Sequence, residues 1–202
     1  MFAELQSTIE KVLGQDVPDT RKVILQPLID YIQKKVDSQI VPALNFICTH
    51  NSRRSQFSQI WAQTAADYFN IPAHCFSGGV EVTAFNERAV ASMKRGGFNV
   101  LKHGDGNPVY TIYHTENSSP ITAFSKLYDD PANKADTFAA VMTCSHADEN
   151  CPYIQGAEER IAVRYEDPKK YDDTDLETTM YDERSMQIAS EMFYVFSMIK
   201  KD

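Results

Sequence analysis

The sequence predicts an α/β fold built on a parallel sheet, and three observations predict it. Short apolar runs of strand length recur at residues 42–48, 74–79, 136–144 and 159–165. Longer stretches between and around them repeat their apolar residues near the helical period. The run "DTFAAVMTC" (136–144) is apolar almost throughout, as a strand buried on both faces must be. Strands alternating with helices imply crossover connections and therefore parallel pairing.

The elements follow in order. Residues 3–13 and 20–37 read as two amphipathic helices, the second carrying Val23, Leu25, Leu28, Ile29, Ile32 and Val36 at helical spacing. Residues 16–19, with Pro18, form the turn between them. "PALNFIC" (42–48) is a strand, and after a polar loop Phe57, Ile60, Trp61, Ala65 and Tyr68 mark one face of a helix over about 54–69. "HCFSGG" (74–79) is a second strand ending in glycines. "FNERAVASMKRGGF" (85–98) is a helix stopped by Gly96 and Gly97, with Lys94 and Arg95 where cations suit the helix dipole. The runs 136–144 and 159–165 supply the third and fourth strands. Residues 175–201 form a long terminal helix, with Ile188, Met192, Val195, Phe196 and Ile199 turned inward. Residues 106–134 are rich in turn formers and tyrosines and read as an insertion or lid-like excursion. The chain is read as a single domain over 1–202, with a helical extension over 1–40 and a core over 43–200.

With 202 residues, 43% of them hydrophobic, the chain can bury one sizeable core without disulfide staples. Its net charge of −8 argues against nonspecific binding to nucleic acid or an anionic membrane, both of which need a basic face. Glu4 and Glu10 and the lack of a long apolar stretch exclude a signal peptide at the N-terminus, so the cytoplasm is the expected location. In a reducing compartment Cys48, Cys75, Cys144 and Cys151 are expected to be reactive, metal-binding or buried rather than a disulfide framework.

Cys48 ends the first strand, and Arg54 opens the helix that follows. Ligands of an open parallel sheet bind beyond the carboxyl ends of its strands. The amides of Thr49, His50, Asn51, Ser52, Arg53, Arg54 and Ser55 would then line a concavity at a positive helix end, a cradle for an anion. Arg54 can close it with a planar fork matched to two oxygens of a tetrahedral oxyanion. The same groups would stabilise a thiolate and make Cys48 a nucleophile at neutral pH. Asn51 and Ser55 stand where they can hydrogen-bond the sulfur or hold the loop. An inert strand cysteine is the bland alternative, and the Cys-x5-Arg-Ser spacing between strand and helix argues against it.

"CTHNSRRSQ" resembles the phosphate loop of the low-molecular-weight protein tyrosine phosphatase superfamily, above all its thioredoxin-coupled arsenate reductase branch, which typically reads Cys-Thr-Gly-Asn-Ser-x-Arg-Ser-Gln. The resemblance continues through Trp61, "FSGGVE" (76–81), "FNERAVASMKRGGFNVLKH" (85–103), "TCSHADENCP" (143–152) and "EDP" (166–168). It implies a three-layer sandwich around a central four-stranded parallel sheet. By position it makes Cys48 the nucleophile, Arg54 the oxyanion-binding arginine, Asn51 the residue that shapes the loop and Ser55 the hydroxyl that assists the thiolate. It makes Asp167, before Pro168, the general acid; without the resemblance that pair would read as a surface turn. His50 replaces the usual glycine, which predicts a tighter or differently hydrated loop. Gln59 stands where the branch often has a glutamate that helps hold potassium, so no such site is expected, and no metal or other cofactor. Arg53 is expected to be a solvated neighbour or to add positive potential at the mouth.

The resemblance also assigns Cys144 and Cys151. In such reductases a first cysteine attacks arsenate, a second attacks the first to release arsenite, and a third draws the disulfide out for thioredoxin to reduce. "SHADEN" between them reads as a flexible polar segment. Cys144 as a buried strand end, or Cys144, His146 and Cys151 as zinc ligands, are the alternatives; the spacing matches no common zinc pattern. Cys75 is expected in the core. Three functions stay open: an arsenate reductase with thioredoxin as electron donor, a phosphatase acting on phosphotyrosine or a small phosphate ester, and a non-catalytic phospho-ligand binder. The last ranks lowest because Cys48, Arg54 and Asp167 are all present.

Overall fold

The computed structural model describes residues 1–150 and 153–201, without the side chain of Asn150. In chain order the elements are α1 (Ala3–Leu13), α2 (Asp19–Asp37), β1 (Ala43–Cys48), α3 (Arg54–Tyr68), β2 (His74–Gly79) and α4 (Glu87–Arg95). There follow β3 (Asn99–His103), β4 (Val109–Tyr113), β5 (Ile121–Ala123), β6 (Phe138–Met142), α5 (Ser145–Asn150), β7 (Ala157–Ala162), a 3-10 turn (Pro168–Tyr171) and α6 (Glu177–Ser197). Among the described residues no helix is long and apolar enough to cross a membrane.

The central sheet has the strand order β2-β1-β6-β7, all parallel. This is the expected four-stranded α/β architecture. Alternation along the inner strands divides the core. Leu44, Phe46, Ala139 and Val141 join the large cluster under α3 and α6, whereas Ala43, Ile47, Phe138, Ala140 and Met142 join a smaller one with Ala147 and Ile154. Every residue of β1 is buried, so the strand end that carries Cys48 is held by packing on both faces.

The N-terminal helices are part of this core. Leu5, Ile9, Leu25, Leu28 and Ile32 lie in the same cluster as Phe193 and Phe196 of α6. Arg21 of α2 also reaches Glu191 through Nε at 2.8 Å and Nη2 at 2.7 Å, and the Tyr165 hydroxyl donates to the same carboxylate at 2.8 Å. A carboxylate that is 1% exposed would be costly alone; here its oxygens are satisfied by a fork and a phenol.

The segment read as a lid-like excursion is corrected. Residues 99–123 form a second sheet, β3-β4-β5, antiparallel throughout. Its Tyr110, Ile112, Ile121 and Ala123 enter the large cluster, so it is bound to the core by apolar burial. The chain then adds to the edge of the main sheet: Gly79 N donates to Lys126 O at 2.8 Å and Tyr128 N donates to Gly79 O at 3.0 Å. Gly78 permits this approach, because a Cβ there would lie 2.3 Å from the Tyr128 Cα. "SHADEN" forms the short helix α5. Ala147 is buried, and the carboxylate of Asp148 is taken by Arg160 and Arg164.

Candidate active site

The loop after β1 is held from outside by its carbonyls. Thr49 O accepts from Val80 N and Glu81 N, both at 2.9 Å, and His50 O accepts from Ser125 Oγ at 2.8 Å. Asn51 O accepts from Gln56 Nε2 at 2.9 Å, and Ser52 O from Asn86 N at 3.0 Å. In a planar trans peptide the N–H points opposite the C=O. Four outward carbonyls therefore turn the amides of His50, Asn51, Ser52 and Arg53 to the inner side, where α3 presents its N-terminus. The result is a cradle of inward-facing amides at a helix N-terminus. Gly79 backs it so closely that a Cβ would stand 2.8 Å from both Asn51 N and Thr49 O.

Asn51 makes the turn, with φ at 46°. The left-handed step falls there and not at His50, so a side chain at 50 is accommodated; it leans out to Glu81, with Nε2 3.0 Å from the carboxylate. The Asn51 amide then works in two directions: Nδ2 donates to Ser55 Oγ at 2.8 Å, and Oδ1 accepts from Lys126 N at 3.1 Å. Ser55 Oγ also lies 3.1 Å from the Cys48 sulfur, so with Asn51 as its donor the hydroxyl is free to donate to a thiolate there. Cys48 is 3% exposed at the floor of the cradle.

Arg54 donates from Nη2 to Asp167 Oδ2 at 2.7 Å and from Nη1 to Tyr165 O at 3.1 Å, while its buried Nε has no hydrogen-bond partner among the described residues. Asp167 is fixed in turn by Lys169 N, which donates to Oδ1 at 3.1 Å. Both residues named from the sequence, 113 positions apart, thus meet at the rim. Arg53 corrects its expectation as a solvated neighbour: its side chain is only 12% exposed, Nε donates to the Tyr181 hydroxyl at 3.0 Å, and Nη1 lies 3.9 Å from Asp167.

Cys144 ends up beside the loop, as expected. Thr143 N donates to Ile47 O at 2.8 Å, which aligns the two strand ends, and Cys144 Sγ lies 3.5 Å from Thr49 Oγ1. Cys48 and Cys144 share one apolar cluster. Cys151 lies outside the described residues. Among those described, no three His, Cys, Asp or Glu side chains converge as metal ligands. Cys75 is a core residue whose burial pushes its thiol up, with Asp67 adding to the effect. Gln59 accepts from Ser77 Oγ at 2.6 Å and donates to Thr122 O at 3.2 Å, so its amide is committed to neutral partners.

Sequence reasoning missed the supports: Gln56, Ser125, Lys126 and Tyr165. Gln56 closes the quoted loop motif and bonds Asn51 within it, whereas Ser125, Lys126 and Tyr165 sit in no local pattern and act through tertiary contacts. Lys126 is the most unusual. It is 3% exposed, its ammonium lies over the Phe124 ring at 4.7 Å, and Nζ has no hydrogen-bond partner among the described residues. Burial pushes it from 10.5 down to about 8, opposed by Asp130. The unfolded chain therefore binds more protons between these values, so stability rises with pH from about 8 to 10.5 and carries the full cost below 8. Lys126→Met is expected to raise thermal stability at pH 7 by up to roughly 3 kcal/mol, an advantage that fades toward pH 10.5. Melting curves across that range check it; a gain independent of pH would contradict the buried charge.

Comparison with known proteins adds a second line. No protein-family model matches the chain. An arsenate reductase of Brevibacillus brevis is 30% identical over 123 residues, which span 61% of this chain and 74% of that protein. An arsenate reductase of Staphylococcus aureus is 30% identical over 124 residues, spanning 61% and 76%. Among solved structures, a low-molecular-weight phosphotyrosine phosphatase from Vibrio cholerae aligns over 77% of this chain and 94% of its own, with a TM-score of 0.51 at 12% identity. That likeness is one of fold.

Proposed function

The chain belongs to the arsenate reductase family, and from that membership we propose that it reduces arsenate through Cys48, Cys144 and Cys151. The observation that carries the reading is the second thiol: Cys144 stands 3.5 Å from the hydroxyl of Thr49, the residue next to the nucleophile.

Arsenate enters the cradle and competes with Asp167 for Arg54. The Cys48 thiolate forms an S–As bond while one arsenate oxygen departs, protonated by Asp167. Cys144 then attacks the Cys48 sulfur. An S–S bond forms, the S–As bond breaks, and arsenic leaves as arsenite with the electron pair. Cys151 attacks Cys144, frees Cys48, and leaves a Cys144–Cys151 disulfide for thioredoxin to reduce. The reducing cytoplasm is the compartment in which such a cycle runs.

A second reading, hydrolysis of a phosphate ester, is favoured by Asp167, whose carboxylate is held at the rim where a leaving oxygen would emerge. Arsenate and phosphate are nearly isosteric, so the cradle serves both.

Disulfide mapping by mass spectrometry after arsenate exposure tests the relay. The wild type is expected to accumulate Cys144–Cys151, and Cys151→Ser to trap Cys48–Cys144. If neither disulfide forms and Cys144→Ser and Cys151→Ser turn over arsenate with thioredoxin like the wild type, the phosphatase reading replaces it.

A further inference from the structure

Beside the cradle lies a second concavity of about 500 Å³. One wall is the outer side of the Cys48 loop, through Ser52 and Arg53; the facing wall is the β3–β4 hairpin, through Lys102 and Tyr110; Lys169 closes a third side. Tyr110 comes from the segment that has no counterpart in the sequence resemblance.

Its charge runs against that of the molecule. The chain carries a net −8, yet Arg53, Lys102 and Lys169 line the cleft against one acid, Glu87. Glu87 meets Lys102 at 3.0 Å, but the two side chains are 80% and 45% exposed, and such a pair is weak enough for an arriving anion to compete with it. Lys169 is bound to Asp167 through its backbone N–H, and its side chain is exposed. The Arg53 guanidinium is pinned between Tyr181 and Asp167.

Position gives the cleft its meaning. In phosphoryl transfer the leaving group departs in line, opposite the nucleophile, on the side of the acid that protonates it. The cationic neighbours of Asp167 on that side, apart from Arg54, are Arg53 and Lys169, and both face the cleft. A departing arsenate oxygen is too small to use this space. The leaving group of an ester is large enough to reach into it.

We propose that this cleft is a leaving-group subsite that selects small phosphate monoesters bearing a second anionic group. The proposal rests on the phosphatase reading of Cys48 and Asp167. In that step the Cys48 sulfur bonds phosphorus as the ester P–O bond breaks, and the leaving oxygen keeps the electron pair and takes the Asp167 proton. Water then cleaves the S–P bond, returning the thiol and inorganic phosphate.

The test compares phenyl phosphate with 4-carboxyphenyl phosphate in the full chain and in a Lys102→Gln/Lys169→Gln variant. The wild type is expected to favour the carboxylated ester in kcat/KM by about tenfold, the combined effect of two exposed charge contacts. The variant is expected to lose that preference while handling phenyl phosphate unchanged, and high salt should erase it in the wild type. Equal kcat/KM values in the wild type, or a preference that survives both substitutions, would overturn the subsite. If neither ester is hydrolysed, the phosphatase reading fails, and calorimetric binding to Cys48→Ser protein decides the subsite separately. Tighter binding of the carboxylated ester, lost with the two lysines, sustains it; equal or absent binding sinks it.

Discussion

Cys48→Ser is expected to lower turnover of arsenate, or of a phosphate ester, by roughly four orders of magnitude or more while leaving the fold in place. The substitution removes the thiolate and almost nothing else. Cys48 is 3% exposed at a strand end, and a hydroxyl there still meets Ser55 Oγ, which receives its own hydrogen bond from Asn51. The cradle is built from backbone amides whose carbonyls are tied to Val80, Glu81, Ser125, Gln56 and Asn86, none of which depends on the sulfur. Oxyanion binding should therefore survive, and an inert protein that binds phosphate with an unchanged melting temperature is the expected product. Substantial residual activity in both assays would remove Cys48 from the nucleophile role. A collapsed melting temperature would make the loss of activity uninformative about chemistry, so the two measurements belong together.

Asp167→Asn is expected to cost about 10²–10⁴-fold in turnover of esters with poor leaving groups, and far less for an ester whose leaving group needs no proton. Its effect on phosphate binding should be small. An amide keeps one oxygen, which can still accept from Arg54 Nη2, now 2.7 Å from Oδ2, while the bond from Lys169 N to Oδ1 is given up. What it loses is the proton. The ratio of rates between a phenyl and a dinitrophenyl ester reads that loss directly. If both esters slow equally, Asp167 is a positioning residue for Arg54 and not the acid.

The elements around Cys48 were legible because their signals are local. A buried strand has to be apolar along its length, and a helix has to repeat its apolar residues every turn, so the strand–loop–helix around Cys48 and the partner strand ending at Gly79 could be read from a few residues each. The antiparallel sheet was harder. Val109–Tyr113 does alternate, with Tyr110 and Ile112 inward, but turn formers on both sides hid a five-residue strand whose stability comes from its neighbours and the core.

The residues from Cys48 to Ser55, with the spacing that puts a thiol and a guanidinium at one strand end, were determined by the sequence by itself, as was the order of the main sheet's strands and helices along the chain. Tertiary structure decided how those residues are used. Asn51 holds its turn through Lys126, 75 positions away, and Arg54 meets its acid 113 positions away. It also turned Arg53 from a solvated side chain into one pinned beside Asp167, and made a supposed lid into the wall of a cationic cleft. The physical reason is that hydrogen bonds, burial and charge act through space. A residue's type limits what it can do, but its partners are chosen by the packing of elements distant in the chain.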